Sequence, residues 1–232
     1  MKTIPPSINN LLYVSTFQEL VNTPFQGKVN AISWSRKIVG DFEEIVNAFD
    51  FQENMIEIDL SDLRNLTLSE GGAIARTTLL NDYELLQNHG ASPILNIIKY
   101  YEEDDSFPYF PTDVYSYHVD RSPIATDTFL CTYYGSPSEL IPNEQAIQKI
   151  TIPAVRKELS KLYDGKPADF ESFLSEHFFD LHYEAKANIL PTRAELGHMW
   201  RLAVDHPKSE VLPCVHRAPK EANGQKRLLL IC

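Results

Sequence analysis

The sequence is poor in glycine and has no long hydrophobic run. Only 9 of its 232 residues are glycine, against 15 prolines, which favours shaped loops over freely flexible ones. No apolar run approaches the roughly 18 residues that a membrane-spanning helix needs, so we expect no contact with a membrane. Prolines and asparagines interrupt the N-terminal segment, and we expect no secretory signal there.

Cysteine is also scarce, and its pattern excludes two classes of site. The three cysteines, Cys131, Cys214 and Cys232, are odd in number and widely spaced, with no C-x-x-C pair. That pattern argues against a disulfide framework and against a zinc site built from cysteines. The sequence therefore predicts a protein of a reducing compartment, the cytoplasm.

Positive charge is in deficit. The chain has 21 Lys and Arg against 32 Asp and Glu, a formal net charge of −11. Such a surface repels phosphates, so nucleic acid and anionic membranes are poor partners. Hydrophobic residues at 43% and charged residues at 23% are ordinary values for a globular protein. An anionic ligand would need a local cation against this background.

Hydrophobic periodicity predicts a mixed N-terminal part over residues 1–110. Helical spacing follows Asp41, a residue type that favours the helix N-cap, and continues to about residue 51. The remaining predicted elements are strands over 28–36 and 54–60, a helix from Ser69 to His89, and a helix over 94–103 opened by Ser92 and Pro93.

The second half changes character and is rich in β patterns. Strands are predicted over 114–120, 128–135, 195–204, 209–219 and 226–232, and helical spacing over 143–163 and 168–183. We therefore expect a single α+β domain spanning 1–232. Its β-rich core is expected over 111–232, with a helical insertion over 143–183.

A His-x-Asp pattern within the predicted strand 114–120 is the main chemical signal. Residues two apart in a strand point to the same face, so His118 and Asp120 project side by side and could bind one metal ion. Two ligands hold a metal weakly, and a third is needed. His216, on a C-terminal strand, offers it, and Arg227 follows eleven residues later.

This order of residues resembles the iron(II)/2-oxoglutarate-dependent dioxygenases, in particular the prolyl-hydroxylase-like members. The resemblance implies a double-stranded β-helix, or jelly-roll, with Fe(II) bound by His118, Asp120 and His216. It also implies that Arg227 binds the distal carboxylate of 2-oxoglutarate. A hydroxyl on the strand after His-x-Asp is expected to assist, and we favour Tyr134.

Strand alternation places Thr132 on the same face as Tyr134, so both are expected to face the cofactor. Tyr133 remains the alternative, because a one-residue bulge would exchange the two tyrosines.

A second resemblance covers most of the chain. The segments HVD, TYYG, IPN and HRAP, followed by RLLLI, are similar to a bacterial family of domains of unknown function with the pattern HxD…TYxG…HRxP…R. The similarity runs over about residues 28–232. It favours the same fold and the same three metal ligands, and it implies no substrate.

The resemblance implies a hydroxylase that uses O2. Helical segments on both sides of the β core favour an enclosed pocket, hence a small-molecule substrate such as an amino acid or another metabolite. Arg121 follows the His-x-Asp motif and Asn143 follows a nearby turn, so both are candidate substrate contacts. Trp200 is a further candidate for the pocket wall.

Three other interpretations stay open. A cupin-like metalloenzyme would not use 2-oxoglutarate, but cupins usually carry His-x-His with a following Glu, and Glu139 lies too far along the chain. A non-catalytic β-barrel would bind a ligand or partner, and a zinc-handling protein would use the same three ligands.

His177 and His182 are five residues apart in a predicted helix, so we expect them to be exposed and not to share a face.

Overall fold

The computed structural model describes residues 10–104, 106–107, 110–221 and 224–232, and in these ranges the protein is a mixed α+β structure. The α-helices are α1 (Phe17–Asn22), α2 (Phe42–Asn47), α3 (Leu60–Asn65), α4 (Glu70–Asn88), α5 (Pro153–Ser160) and α6 (Phe170–Glu176). The strands of the N-terminal part are β1 (Leu11–Val14), β2 (Ala31–Trp34), β3 (Met55–Glu57) and β4 (Ile94–Ile98).

The second half supplies the remaining strands. They are β5 (Tyr117–His118), β6 (Asp127–Tyr134), β7 (Glu139–Ile141), β8 (Ala146–Gln148), β9 (His182–Ala185), β10 (Thr192–Arg193), β11 (Met199–Ala203), β12 (Val215–Arg217) and β13 (Arg227–Ile231). None of the helices in the described ranges combines the length and the apolar character needed to cross a bilayer.

Two sheets face each other and enclose part of the core. The first has the strand order β1-β2-β11-β6-β13-β4-β3 and the second β10-β7-β12-β5-β9-β8. Neighbouring strands are antiparallel except for the parallel pair β1 and β2. Leu130, Trp200 and Leu229 of the first sheet form one buried cluster with Leu140 and Cys214 on the side of the second. The two sheets therefore pack on each other as the layers of a sandwich.

The helices of the N-terminal part cover the opposite face of the first sheet, as their local sequence allows. Asp41 accepts a hydrogen bond from the backbone of Glu44 at 2.9 Å and caps α2, as predicted. Ser69 caps α4 by accepting from Gly72 N at 3.1 Å, which confirms the predicted helix start. Both helices bury apolar side chains against the sheet.

The predicted helix over residues 94–103 is wrong, because this segment begins with strand β4. The strand pairs with β13 on one side and β3 on the other. Leu95 and Ile97 face the helices while Ile98 faces the second sheet. Burial on both faces explains the near-continuous apolar run, and periodicity alone does not distinguish such a run from a helix.

The insertion over 143–183 is helical only in part. Helices α5 and α6 lie within it and pack on each other through a cluster that includes Phe110, Leu159 and Phe179. Strands β8 and β9 also belong to this region, and they extend the second sheet beyond β5. His182 therefore lies at the start of a strand and is buried, so the prediction that it is an exposed helix residue is wrong.

A buried ion pair joins α4 to the chain after β2. Asp82, which is 2% exposed, accepts hydrogen bonds from both terminal nitrogens of Arg36. The hydroxyl of Tyr133 donates to the same carboxylate at 2.6 Å. A paired and hydrogen-bonded charge is tolerated in a core, whereas one left without its partner is strongly destabilising.

We expect Asp82→Ala to lower the free energy of unfolding by about 3 kcal/mol, because it leaves Arg36 without its buried partner. Glu84→Ala, at an exposed position on the same helix, is the matched control and is expected to change stability little. Urea denaturation followed by circular dichroism measures both variants. Equal unfolding midpoints for the two would contradict a stabilising role for this pair.

Candidate metal centre

Two adjacent strands of the second sheet bring two of the predicted metal ligands together. His118 on β5 is in register with His216 on β12. Side chains paired across antiparallel strands point to the same face of a sheet. Asp120 follows just beyond the end of β5, and one ligand atom from each of the three residues lies within 4.8 Å of the others. The structure therefore assembles the predicted triad.

The separations suit a small cation. Asp120 Oδ1 lies 4.0 Å from His118 Nε2, and Asp120 Oδ2 lies 3.8 Å from His216 Nε2. Nitrogen and oxygen ligands lie about 2.1 Å from a zinc ion, so two ligands of one ion are at most about 4.2 Å apart, and both separations fall within that limit. Two imidazoles and a carboxylate also suit divalent iron.

Backbone carbonyls orient both imidazoles. His118 Nδ1 lies 2.8 Å from Ser116 O, and His216 Nδ1 lies 3.1 Å from Cys214 O. A carbonyl oxygen only accepts, so each Nδ1 carries the hydrogen and each Nε2 keeps its lone pair. Fixing the tautomer of a ligating histidine in this way is a regular feature of metal sites. Both rings therefore direct an unprotonated Nε2, which can bind a metal, towards the side of Asp120.

A hydrogen bond from the first sheet fixes the position of Asp120, the third candidate ligand. Thr128 on β6 donates a hydrogen bond from its hydroxyl to Asp120 Oδ2. Burial by itself would raise the pKa of Asp120, but His216, this hydrogen bond and His118 outweigh it, so the pKa is lowered. Burial, with His216 beside it, lowers the pKa of His118 to about 4. At neutral pH the carboxylate is ionised and His118 is neutral, as ligands must be.

Arg227 is brought together with Thr132, as predicted, in the interior between the sheets. The side chain of Arg227 is 1% exposed and its Nη2 donates to Thr132 Oγ1 at 3.1 Å and to Ser138 Oγ at 2.8 Å. Its Nε has no hydrogen-bond partner in the described chain. No carboxylate of the described residues lies within 4.0 Å of this guanidinium.

Tyr134 does not share the face of Thr132, so that prediction is wrong. The register between β6 and β13 shifts by one residue, with Leu229 opposite Thr132 and Leu228 opposite Tyr134. This bulge turns Tyr134 towards the cluster on the helical side. The alternative, Tyr133, also packs in that cluster, where its hydroxyl contacts Asp82.

A different tyrosine lies close to Arg227. Tyr101 packs against the cluster between the two sheets. Burial raises its pKa, and the nearby Arg227 partly offsets this. Tyr101 falls in the segment that was predicted to be helical. No sequence pattern links Tyr101 to Arg227, because the contact forms only when β4 pairs with β13.

The three candidate substrate residues lie in different surroundings. Trp200 is completely buried between the sheets, and its Nε1 has no hydrogen-bond partner in the described residues. Arg121 pairs with Asp180 at 2.6 Å and with Asp205 at 2.7 Å, which ties the His-x-Asp loop to the insertion.

Asn143 is also engaged within the protein. It accepts from Asn30 Nδ2 at 2.7 Å and donates to Pro213 O at 3.0 Å. The functional groups of Arg121 and Asn143 therefore already serve the protein's own contacts, and Trp200 is the candidate that has a free donor in the interior.

His182, which the sequence predicts to be an exposed helix residue, lies close to the triad. It lies on β9 opposite His118, with the two ring centroids 6.0 Å apart. Burial, together with the nearby His118 and Lys149, lowers the pKa of His182 to about 4. A clue was present in the alternation of His182, Tyr183 and Glu184, which suits a strand.

Comparisons of the chain with protein-family models, with curated proteins and with solved structures find no match. The two family resemblances remain predictions.

We expect the protein to bind one equivalent of Zn(II) or Co(II), and His118→Ala to weaken binding by at least tenfold, because it removes one of three ligands. Isothermal titration calorimetry measures the affinity, with His177→Ala as a control at an exposed position on the insertion. If His118→Ala bound the metal with the affinity of the wild type, the metal would have to bind at a site that does not include His118.

A second prediction concerns acid stability without metal. The pKa of His182 is lowered from 6.5 to about 4 in the folded protein, so the unfolded chain binds more protons between these values. The contribution of the neutral His182 to the free energy of unfolding is complete above about pH 6.5 and is lost as the pH falls towards 4. We expect His182→Phe to flatten the decline in this window, as measured by urea denaturation at a series of pH values. Tyr183→Phe, next to it in β9, keeps every imidazole and should follow the wild type.

Proposed function

We propose that this protein is an iron(II)/2-oxoglutarate-dependent oxygenase with a jelly-roll core. The observation that carries the proposal is the pairing of two features in one interior. A His-Asp-His triad at metal-binding distance lies on the second sheet and its adjoining loop, and a buried arginine without a carboxylate partner among the described residues lies on the first. A cofactor that binds a metal through one end and carries a carboxylate at the other would match both features.

The strand order supports the jelly-roll proposal. Successive strands from β4 to β7 belong alternately to the first and second sheets, and so do β10 to β13, beginning in the second. They give the order β11-β6-β13-β4 in one sheet and β10-β7-β12-β5 in the other. Two interlocked four-stranded sheets of this kind are the arrangement of a jelly roll. The insertion falls between β7 and β10.

The triad would hold the iron. Two histidines and one carboxylate on one side of a ferrous ion leave its other positions open. When bound, the ion supplies the oxidative chemistry, in which O2 and 2-oxoglutarate yield succinate and CO2 while a C–H group of the substrate becomes C–OH. The protein keeps the donor atoms aimed at one point through the carbonyls of Ser116 and Cys214 and the hydroxyl of Thr128.

Arg227 would bind the distal carboxylate of 2-oxoglutarate. Burying a guanidinium is costly unless an anion and hydrogen bonds compensate. Here the hydroxyls of Thr132 and Ser138 accept from Arg227. Tyr101 and the carboxylate of Glu221 lie near it, but no carboxylate of the described residues is within 4.0 Å. A carboxylate in the interior would pair with the guanidinium through two parallel hydrogen bonds. The hydroxyls of Thr132 and Ser138 hold the arginine in place for this contact. Tyr101, and not the predicted Tyr134, is the tyrosine that lies beside Arg227.

The surroundings favour a small-molecule substrate. Apolar side chains of the two sheets, including Leu130, Leu140 and Leu229, form the interior near Arg227 and exclude water from it. The cluster built on α5 and α6 covers the second sheet beside His118. The net charge of −11 disfavours a nucleic-acid substrate.

We expect the Fe(II)-loaded protein to form succinate from 2-oxoglutarate. We expect Arg227→Met to lower the rate of succinate formation at least tenfold, mainly because 2-oxoglutarate binds more weakly. Methionine approximates the volume of the arginine stem without its charge. Arg64→Met, at an exposed position in the last turn of α3, is the control.

Turnover is measured by detection of succinate, and 2-oxoglutarate affinity by calorimetry on the Zn(II)-loaded protein. Metal binding with no affinity for 2-oxoglutarate would favour a cupin-like or zinc-handling protein instead. If the wild type bound no metal, a non-catalytic β-barrel would be the remaining interpretation.

A further inference from the structure

Three asparagine side chains form an amide cluster where strands of both sheets begin or end. Asn10 precedes β1, Asn30 precedes β2 and Asn143 follows β7. Asn10 Nδ2 donates to Asn30 Oδ1 at 3.2 Å, and Asn30 Nδ2 donates to Asn143 Oδ1 at 2.7 Å. Asn10 is 3% exposed and Asn30 is 1% exposed. The cluster therefore joins the first sheet to the chain that follows a strand of the second.

The surroundings of Asn30 fix the orientation of the amides. Its nitrogen faces three acceptors, because Leu212 O and Pro213 O lie 3.0 and 3.2 Å from it and Asn143 Oδ1 is the third. Its Oδ1 must then face Asn10, which turns its own nitrogen towards that oxygen in order to donate. The Oδ1 of Asn10 is left over. It is buried and has no hydrogen-bond donor among the residues that the structure describes.

The residue with this unused acceptor lines a cavity of about 340 Å³. The lining residues are Asn10, Gly27, Lys28, Asn143, Glu144 and Leu212. They include none of the three candidate metal ligands. A buried acceptor without a donor is costly for the folded protein. The cavity is therefore suited to a ligand that brings a hydrogen-bond donor.

The charges around the cavity favour a donor that is positively charged. The carboxylate of Glu144 pairs with the ammonium of Lys28. The two side chains are 52% and 63% exposed, so solvent screens this pair and it contributes little to stability. The ammonium of a ligand can therefore replace that of Lys28 beside the carboxylate. The net charge of −11 also attracts cations to the protein.

We propose that this cavity binds a small molecule through a primary ammonium group. One N–H of the ammonium donates to Asn10 Oδ1, the carboxylate of Glu144 balances the charge, and Leu212 contacts the carbon skeleton. Asn30 holds the amide of Asn10 in the orientation that accepts. The inference does not depend on the proposed function, because it involves neither the metal nor 2-oxoglutarate.

Three probes separate the charge of the ligand from its hydrogen-bond donors. Benzylammonium has both, benzyltrimethylammonium has the charge without an N–H, and benzyl alcohol has a donor without the charge. Ligand-observed NMR on the metal-free protein at pH 7 gives the three dissociation constants. We expect benzylammonium to bind at least tenfold more tightly than either of the others, because it alone donates a charged hydrogen bond to Asn10 Oδ1.

Substitutions in the cavity wall test the assignment of residues. We expect Asn10→Ala to weaken the binding of benzylammonium at least tenfold, and Glu144→Gln to weaken it about threefold. Lys28→Met removes the competing ammonium and should strengthen binding about twofold. Lys157→Met and Glu176→Gln, at exposed positions on α5 and α6, are the matched controls and should bind as the wild type does.

Three results would overturn the inference. The first is equal affinity of the wild type for benzylammonium and benzyl alcohol, and the second is equal affinity for benzylammonium and benzyltrimethylammonium. The third is undiminished binding of benzylammonium to Asn10→Ala, with circular dichroism confirming that this variant is folded. If Asn10→Ala does not fold, Glu144→Gln decides, because Glu144 is exposed and unchanged binding to that variant contradicts the proposal.

Discussion

The pairing of β5 with β12 in one register is the constraint on which the site depends. It sets His118 directly beside His216, with ring centroids 4.6 Å apart. A shift of one residue would turn one imidazole to the other face of the sheet. The third ligand adds a second condition, because Thr128 of the first sheet holds Asp120. The triad therefore forms only when the two sheets are packed together, so a metal bound there would stabilise the folded state.

Two buried arginines show how the protein handles interior charge in two ways. Arg36 is neutralised by Asp82 within the protein, and the pair stabilises the contact between α4 and the first sheet. Arg227 is more deeply buried than Arg36 and has no carboxylate of the described residues within 4.0 Å, although Tyr101 and Glu221 lie near it. The first arrangement is complete without a ligand. The second is what a site for an anionic ligand would need, and this contrast supports the role proposed for Arg227.

The insertion between β7 and β10 widens the second sheet and brings polar groups to its inner face. Strand β9 places His182 beside His118, and the turn after β8 carries Lys149.

The sequence by itself determined the local features: the caps at Asp41 and Ser69, the His-x-Asp pair, and the order of His216 and Arg227. These depend on neighbouring residues or on strand alternation, which a sequence displays directly. Tertiary structure alone decided that residues 94–98 are a strand, that a bulge turns Tyr134 away from Arg227, and that His182 lies beside His118. Each of these follows from pairing between segments far apart in the chain, where burial and hydrogen bonding across the sheet override local periodicity.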